Sequence, residues 1–503
     1  MDQENNNTLK AGGLPFSIDR HALLLIIPIL VFGLLVSYTW SYTLDDSFIF
    51  LHYAQNLGSG HGLVWNIGEI LPTEGYTSIL WVLILSFFAF LQADLVTVAK
   101  IIGIILVLLT AWLGFSELIK RQHRFSAIAF VFLFLCSPYT ALNAISGMDT
   151  ALAIFLVTSF ILIMSRFVDA PTPRKAALCG IVALALCLSR PEAVILVIFT
   201  MFLVGVLFPS SRKTLFVYGF LPFVILGAAY FAWRYAYFGM LFPLPFYIKQ
   251  ANVGLFAGLS DVRAYLFFVL PILILAFFGI KWRSAKTLAL AGGVLALMIY
   301  YVFPRHLMGM HFRYLFPLYP AIVLAASLGI ENLFRKRALG ISLAVTAVLL
   351  AFVGQQVVGG RSEVITALAY STNLERSYVQ LGKDLATRGS AHWIALGSVG
   401  AVPYYSGWQV LDTFGLNNPV IAGMTDPGQR VAYIWSLKPD LLVLVSTDAA
   451  NMKALHNYDQ LLYQTADSQG YTHGCTFKFN DNYYLWLYAR AGTQLSNFAC
   501  VQT

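Results

Sequence analysis

Long apolar stretches recur along this sequence, each close to the length that crosses a lipid bilayer as a helix. About 20 predominantly apolar residues are needed for one crossing, and the first such stretch covers 22–40. Ten more follow: 97–119, 125–140, 149–167, 175–189, 192–208, 214–233, 264–280, 286–303, 313–330 and 338–357. Because 58% of the residues are hydrophobic and only 11% are charged, we expect a polytopic α-helical membrane protein.

The basic residues predict how these helices are oriented, because Lys and Arg concentrate at cytoplasmic helix ends. Six clusters stand out: Lys10/Arg20, Lys120/Arg121/Arg124, Arg166/Arg174/Lys175, Arg212/Lys213, Lys281/Arg283/Lys286 and Arg335/Lys336/Arg337. All six face the cytoplasm only if 41–119 crosses the membrane once. The shorter apolar run 77–93 is then a helix at the outer interface, and the chain has 11 spans. We interpret 22–40 as a retained anchor, since its polar leader is long and no A-x-A site follows.

In this topology the N-terminus is cytoplasmic, while the loop 41–96 and everything after 357 lie outside. Counting 77–93 as a span would reverse every later loop, and this alternative stays open. Residues 358–503 contain nine basic and ten acidic residues, and runs such as "WIALGSV" and "DLLVLVST" predict short strands. We therefore expect a membrane domain, 1–357, and a soluble α/β domain, 358–503. The net charge of +8 belongs to the membrane part and gives no indication of nucleic-acid binding.

The cysteines and the metal-binding patterns add one expectation. Cys475 and Cys500 both lie in the outer domain, where a disulfide between them would persist. The sequence has no Cys/His spacing typical of a metal site and no P-loop. A bound divalent cation remains compatible with the sequence, with no ligands assigned.

The first outer loop carries the acids that most suggest chemistry. Residues 42–78 hold four acids and no Lys or Arg, and Asp45 and Asp46 follow the first apolar stretch closely. A helix C-terminus disfavours carboxylates through its dipole, so we expect these two acids to serve function and not merely to end that helix. The loop is rich in Gly, Pro and aromatic residues, which predicts a compact fold over the membrane surface.

Five motifs, in order along the chain, resemble the GT-C glycosyltransferases of the bacterial arabinofuranosyltransferase type. They are "LDDSFIFLHYAQNLGSGHGLVWNIGEILPTEGYTSILW" (44–81), "SGMDTAL" (146–152), "LSRPE" (188–192), "HFRYLFPLYP" (311–320) and "GAVPYYSGWQVLDTFGLNNP" (400–419). The chain departs from the family pattern at His52, where Arg is frequent. It departs again at "MGM" (308–310), where the family has a glycine-acid pair.

The resemblance implies a GT-C fold with periplasmic interfacial helices, in the inner membrane of a bacterium. It implies transfer of a sugar, such as the furanose pentose arabinofuranose, from a polyprenyl-phosphate donor to an envelope glycan, lipid or protein acceptor on the periplasmic face. Asp45 and Asp46 are then the catalytic candidates, with Asp45 as the base. The resemblance also implies a substrate pocket formed by Asp149, Glu74, Tyr76, His61 and Asn66.

The candidates for binding the donor phosphate are Arg190, Arg313, His311 and Arg305. Under the predicted topology the three arginines lie on the outer side, against the positive-inside trend, and their planar fork suits phosphate oxygens. Snorkelling or acid pairing is the alternative for Arg313 and for Arg190, where Glu192 is close in sequence. Helix capping is the alternative for Asp149. Two other functions stay open: a transporter or flippase for a lipid-linked sugar, and a non-catalytic assembly protein.

Overall fold

The computed structural model describes residues 24–250, 254–306, 308–389 and 392–492, and helices form most of it up to residue 386. These helices are α1 Ile26–Tyr38, α2 Asp45–Gly58, α3 Ile79–Phe90, α4 Leu95–Lys120, α5 Arg124–Leu135, α6 Pro138–Ile145, α7 Thr150–Asp169, α8 Pro173–Ser189, α9 Val194–Leu207, α10 Pro209–Leu215, α11 Leu221–Phe238, α12 Leu244–Gln250, α13 Leu259–Gly279, α14 Ala285–Tyr300, α15 Tyr319–Phe334, α16 Leu339–Leu374 and α17 Gln380–Ala386.

Each predicted apolar stretch overlaps one of these helices. By length and composition, six helical segments of the described residues are able to cross a membrane, or seven if α5 and α6 form one broken span. These two helices meet at 62°, where Pro138 begins α6. Shorter apolar helices, α1 and α14 among them, cover other predicted stretches. The predicted number of 11 spans stays a prediction.

Ion pairs bring several basic clusters together at one end of the helices. Glu117 accepts from Arg121 and from Arg166, each at 2.6 Å. Asp169 accepts from Arg121 at 2.8 Å and from Lys286 at 2.7 Å. Three of the six predicted basic clusters therefore lie side by side, as a common membrane face requires.

The last membrane helix leads directly into the C-terminal part of the chain. The helix α16 is continuous from Leu339 to Leu374 and is followed by a π-helical turn, Glu375–Val379, and by α17. The predicted domain boundary at 357/358 falls inside this helix. We call the described residues from 392 to 492 the C-terminal unit.

The C-terminal unit is a small α/β fold, as "WIALGSV" and "DLLVLVST" predicted. Its elements are β1 Trp393–Leu396, α18 Ala401–Ser406, β2 Gln409–Asp412, α19 Pro419–Ala422, α20 Pro427–Ser436, β3 Leu441–Ser446, α21 Asn457–Ala466, β4 Tyr471–Asn480 and β5 Tyr483–Arg490. The strand order is β2-β1-β3-β5-β4. β1 pairs in parallel with β2 and β3, and β5 is antiparallel to β3 and β4. Every residue of the central strand β3 is buried.

Side chains of the first loop hold the C-terminal unit against α2. The ring of Phe48 lies 5.4 Å from Tyr404 and 5.5 Å from Tyr405, both on α18. The Asn66 amide donates to the Val410 carbonyl at 3.0 Å and accepts from the Val410 N–H at 2.8 Å. This docking encloses a space between the C-terminal unit and the membrane helices.

Candidate active site

A cavity of about 390 Å³ lies between the membrane helices and the C-terminal unit. Seven of the residues singled out from the sequence line it: Asp45, Asp46, Tyr76, Asp149, Arg190, Arg305 and Arg313. These side chains come from segments far apart in the chain, so the structure brings together what the sequence motifs left scattered. The cavity lies at the end of α7 and α8 opposite to the basic clusters, because Asp149 and Arg190 are at the helix ends away from Arg166 and Lys175.

The two adjacent acids begin a helix, and the sequence interpretation of their position was wrong. The first helix, α1, ends at Tyr38, whereas Asp45 and Asp46 form the first turn of α2 after the extended residue Leu44. A helix N-terminus favours carboxylates. Their position along the chain therefore needs no functional explanation, and any role must be argued from their surroundings.

Asp45 is a buried carboxyl held by backbone donors of the C-terminal unit. Only 8% of the residue is exposed, and its Oδ1 accepts the Ala401 N–H at 2.8 Å. Burial raises the pKa of Asp45 to about 7, although hydrogen bonds from the Ala401 and Gly400 N–H groups act in the opposite direction. A carboxyl with such a pKa gains and loses a proton near neutral pH, which is what a general base requires.

Asp46 has a different environment from its neighbour. It is partly exposed, and its Oδ2 accepts a hydrogen bond from the Arg313 guanidinium at 2.7 Å. Arg313 also donates to the Tyr314 hydroxyl at 3.1 Å. Adjacent residues on a helix point in different directions, and here one acid is paired with a cation while the other is held by N–H groups.

A second aspartate–arginine pair joins α7 to the end of α8. The Arg190 Nε and NH2 groups lie 2.9 Å from Oδ2 and Oδ1 of Asp149, so the contact is bidentate. Glu192 is 3.7 Å from the same guanidinium. The Asp149 side chain makes no capping hydrogen bond to α7. Acid pairing, the alternative considered for Arg190, is therefore present, whereas side-chain capping by Asp149 is not.

Arg305 differs from the other two arginines of the cavity. Its side chain is exposed, and no acid of the described chain lies within salt-bridge distance of it. Arg190 and Arg313 are each paired with an acid, so among the described residues Arg305 is the cavity arginine that forms no ion pair. A guanidinium without an acid partner can bind a negatively charged group such as a phosphate.

Glu74 and His311 were both predicted to contact substrate, but neither lines the cavity, and each is paired with another charged residue. Glu74 forms a buried ion pair with Arg234, each side chain being 4% exposed. Burial raises the pKa of Glu74 to about 7, against the effect of Arg234. The Nδ1 of His311 lies 2.8 Å from Glu363, and His311 lines a second cavity of about 260 Å³.

Two further predicted pocket residues also lie outside the cavity lining. His61 is exposed, and Asn66 is bonded to the backbone of β2. Cys475 lies in β4, but Cys500 is outside the described residues, so their pairing stays a prediction. Within the described ranges no group of three or more His, Cys, Asp or Glu side chains is arranged to hold a metal ion.

Sequence reasoning missed one whole side of the cavity. We call this side the tyrosine wall: Tyr370, Tyr378, Ser398, Tyr458, Asp459 and Tyr483. The Tyr483 hydroxyl lies 3.2 Å from the Ser398 hydroxyl and 3.3 Å from the Tyr378 hydroxyl. None of these residues belongs to a recognisable local motif, and the only signal was the frequency of aromatic residues in the tail.

Comparisons with known proteins agree with this architecture. A family model described as a domain of unknown function (DUF8728) matches residues 367–494, and no curated protein sequence matches the chain. Crystal structures of ArnT from Cupriavidus metallidurans, in the apo state and bound to undecaprenyl phosphate, superpose with a TM-score of 0.60 at 12% identity. The match covers 93% of this chain and 97% of ArnT.

The oligosaccharyltransferase of Archaeoglobus fulgidus tethered to an acceptor peptide matches with a TM-score of 0.53 at 12% identity, over 93% of this chain and 74% of that one. The same enzyme, under the name AglB, in complex with an inhibitory peptide and a dolichol-phosphate matches with a TM-score of 0.52 at 13% identity. That match covers 86% of this chain and 70% of AglB. The chain therefore shares the overall fold of ArnT and of the oligosaccharyltransferase. The expectation of a mostly helical fold with several apolar helices and a small C-terminal sheet is confirmed.

Proposed function

We propose that this protein is a membrane glycosyltransferase that moves a sugar from a polyprenyl-phosphate donor to an acceptor hydroxyl. The observation that carries the proposal is the cavity at one end of the helices. There, a buried carboxyl with a pKa of about 7, Asp45, shares the space with three arginines, of which Arg305 forms no ion pair among the described residues. A sugar phosphodiester carries one negative charge, which such an arginine can bind. The GT-C fold and the undecaprenyl phosphate bound to ArnT support the same donor class.

Asp45 acts as the base in this proposal. Its ionised carboxylate accepts the proton of the acceptor hydroxyl while the acceptor oxygen bonds to the anomeric carbon of the sugar. The bond from that carbon to the phosphate oxygen breaks, and the oxygen keeps the electron pair. The leaving group becomes a phosphate monoester with additional negative charge, which Arg305 and Arg313 would stabilise. Asp46 keeps Arg313 in place.

The donor phosphate is proposed to lie between Arg305 and Arg313. Arg190 is the weakest of the three candidates, because both sides of its fork are occupied by Asp149. His311 is dropped from the set, since it lines the other cavity. For the sugar we propose a furanose pentose such as arabinofuranose, and for the acceptor an envelope component. Both rest on the five sequence motifs. By the same motifs and the basic clusters, the cavity opens on the periplasmic face of a bacterial inner membrane.

The donor site is tested by measuring undecaprenyl phosphate binding to the full chain in lipid nanodiscs. Hydrogen bonds to charged groups are worth roughly 1.5–3 kcal/mol. Because Arg305 is exposed, its contact is worth less, and we expect Arg305→Ala to weaken binding by about fivefold to tenfold. Arg305→Lys should restore only part of the loss. Arg263→Ala, an exposed arginine outside the cavity, is the matched control. Equal affinities for the Arg305→Ala and Arg263→Ala variants would refute the phosphate site.

A further inference from the structure

Asp459 is a buried acid of the cavity that the proposed mechanism does not use. It lies in α21, is 3% exposed and lines the cavity on the side of the tyrosine wall. The backbone N–H of Val445 bonds to its carboxylate. Its Oδ2, however, has no hydrogen-bond partner in the described part of the chain. A buried oxygen without a partner is costly, so this atom is a candidate for contact with a ligand.

The groups that face Asp459 do not neutralise it. Arg430 on α20 is the nearest cation to act on it, but no salt bridge joins them within the described ranges. The Arg430 guanidinium lies 4.9 Å from the Tyr458 ring and donates to the Met424 carbonyl at 3.0 Å. His456, at the start of α21, Tyr458 in the same helix and Tyr483 on β5 are titratable neighbours, and Arg305 acts in turn on His456. Burial consequently raises the pKa of Asp459 to about 8, and most of it is protonated at neutral pH.

The tyrosine wall has the chemistry of a site for a neutral, hydroxyl-bearing ligand. It offers four tyrosine rings and the hydroxyl of Ser398, and no Lys or Arg of the C-terminal unit, as far as it is described, lines the cavity. The three arginines of the cavity all come from segments before residue 314. The cavity lining thus combines arginines from segments before residue 314 with tyrosines from segments after residue 369, and Asp45 belongs to the same lining.

We propose that the tyrosine wall is the acceptor subsite, where Asp459 donates a hydrogen bond to a neutral carbohydrate acceptor that stacks on the tyrosine rings. This proposal rests on the proposed function and narrows its acceptor from glycan, lipid or protein to a carbohydrate. Asp459 is a positioning residue here: it orients the acceptor so that one hydroxyl faces Asp45.

The proposal is tested by ligand binding without turnover. The full chain in lipid nanodiscs is titrated with a methyl arabinofuranosyl disaccharide, and binding is followed by saturation-transfer NMR. Undecaprenyl phosphate is titrated in parallel. We expect Asp459→Leu, which keeps the volume and removes the donor, to weaken disaccharide binding about tenfold and to leave undecaprenyl phosphate binding unchanged. Asp467→Leu, an exposed acid of the same unit, is the matched control and should change neither affinity.

The pH dependence separates a hydrogen-bond role from a structural one. Wild-type binding of the disaccharide should weaken as the pH rises through about 8, the pKa of Asp459, because the ionised carboxylate has no proton to donate. Asp459→Asn keeps an N–H donor of similar shape and should bind with no such pH dependence. The comparison of wild type with Asp459→Asn tests whether Asp459 acts as a hydrogen-bond donor even if Asp459→Leu does not fold.

Unchanged disaccharide affinity in Asp459→Leu, or an identical alkaline loss in wild type and Asp459→Asn, would overturn the proposal. So would binding of an unglycosylated hexapeptide in place of the disaccharide. The proposed function fails in a different way: wild-type protein would then transfer no sugar from a polyprenyl-phosphate pentose, whatever the binding results. The two failures are therefore distinguishable.

Discussion

Adding one methyl group at Gly400 should weaken the contact between the C-terminal unit and Asp45, the proposed catalytic base. A Cβ added there would lie 2.1 Å from the Asp45 carbonyl oxygen and 2.4 Å from its Oδ1. To reach ordinary contact distance the two segments must separate by more than about 1 Å. That movement lengthens the 2.8 Å hydrogen bond from the Ala401 N–H to Asp45. Overpacking of this kind costs roughly 1–3 kcal/mol, and a misplacement near 1 Å at a reacting group costs about 10²-fold in rate.

We therefore expect Gly400→Ala to lower the rate of sugar transfer by about 10²-fold while most of the protein stays folded. Transfer is measured in nanodiscs with a labelled polyprenyl-phosphate pentose, and folding is followed by thermal unfolding. Gly423→Ala is the matched control, because a Cβ there meets only atoms at 3.7 Å. A Gly400→Ala variant that transfers sugar as fast as Gly423→Ala would refute the claim that this contact positions Asp45.

Two further predictions concern the scaffold. Arg234→Met leaves the buried Glu74 carboxylate without its partner, so we expect the free energy of unfolding, measured by chemical denaturation in detergent, to fall by about 3–5 kcal/mol. The double variant with Glu74→Gln should recover part of the loss. An unchanged free energy of unfolding in Arg234→Met would contradict the pairing. Cys475 and Cys500 are predicted to form a disulfide, so non-reducing peptide mass spectrometry should find them cross-linked, whereas free thiols at both positions would disprove it.

The membrane helices were predictable because their signal is local. Each apolar stretch must satisfy its backbone hydrogen bonds within itself in lipid, so composition alone locates the helix. The same holds for β3, whose run of buried apolar residues is visible in "DLLVLVST". Helix ends are harder to predict. We placed Asp45 and Asp46 near a helix C-terminus, which disfavours carboxylates, but α1 ends at Tyr38 and the two acids begin the next helix, whose N-terminus favours them.

The partners of the charged residues were not predictable, because they are distant in sequence. Arg190 and Asp149 are 41 residues apart, and Arg313 and Asp46 are 267 apart. The motifs identified these residues and left acid pairing open as an alternative for the arginines, but they gave no indication of which carboxylates would be the partners. Asp459 was missed for a related reason: its burial and its place in the cavity depend on how the C-terminal unit docks, which no local pattern records.

The most direct test of the central claim is the rate of sugar transfer by Asp45→Asn. This change keeps the shape of the side chain and removes its basicity. We expect turnover to fall by about 10²–10⁴-fold, the usual contribution of a general base, with undecaprenyl phosphate binding retained. In the wild type, turnover should rise with pH through about 7, as Asp45 ionises.

Because its folded pKa lies above the unfolded value, ionisation of buried Asp45 costs stability as the pH rises through this range. The Asp45→Asn variant should therefore be no less heat-stable than the wild type at pH 8, and loss of activity cannot then be assigned to unfolding. A fall in turnover of the expected size in a stable variant that still binds the donor is the result this account predicts. Near wild-type turnover by Asp45→Asn would contradict it.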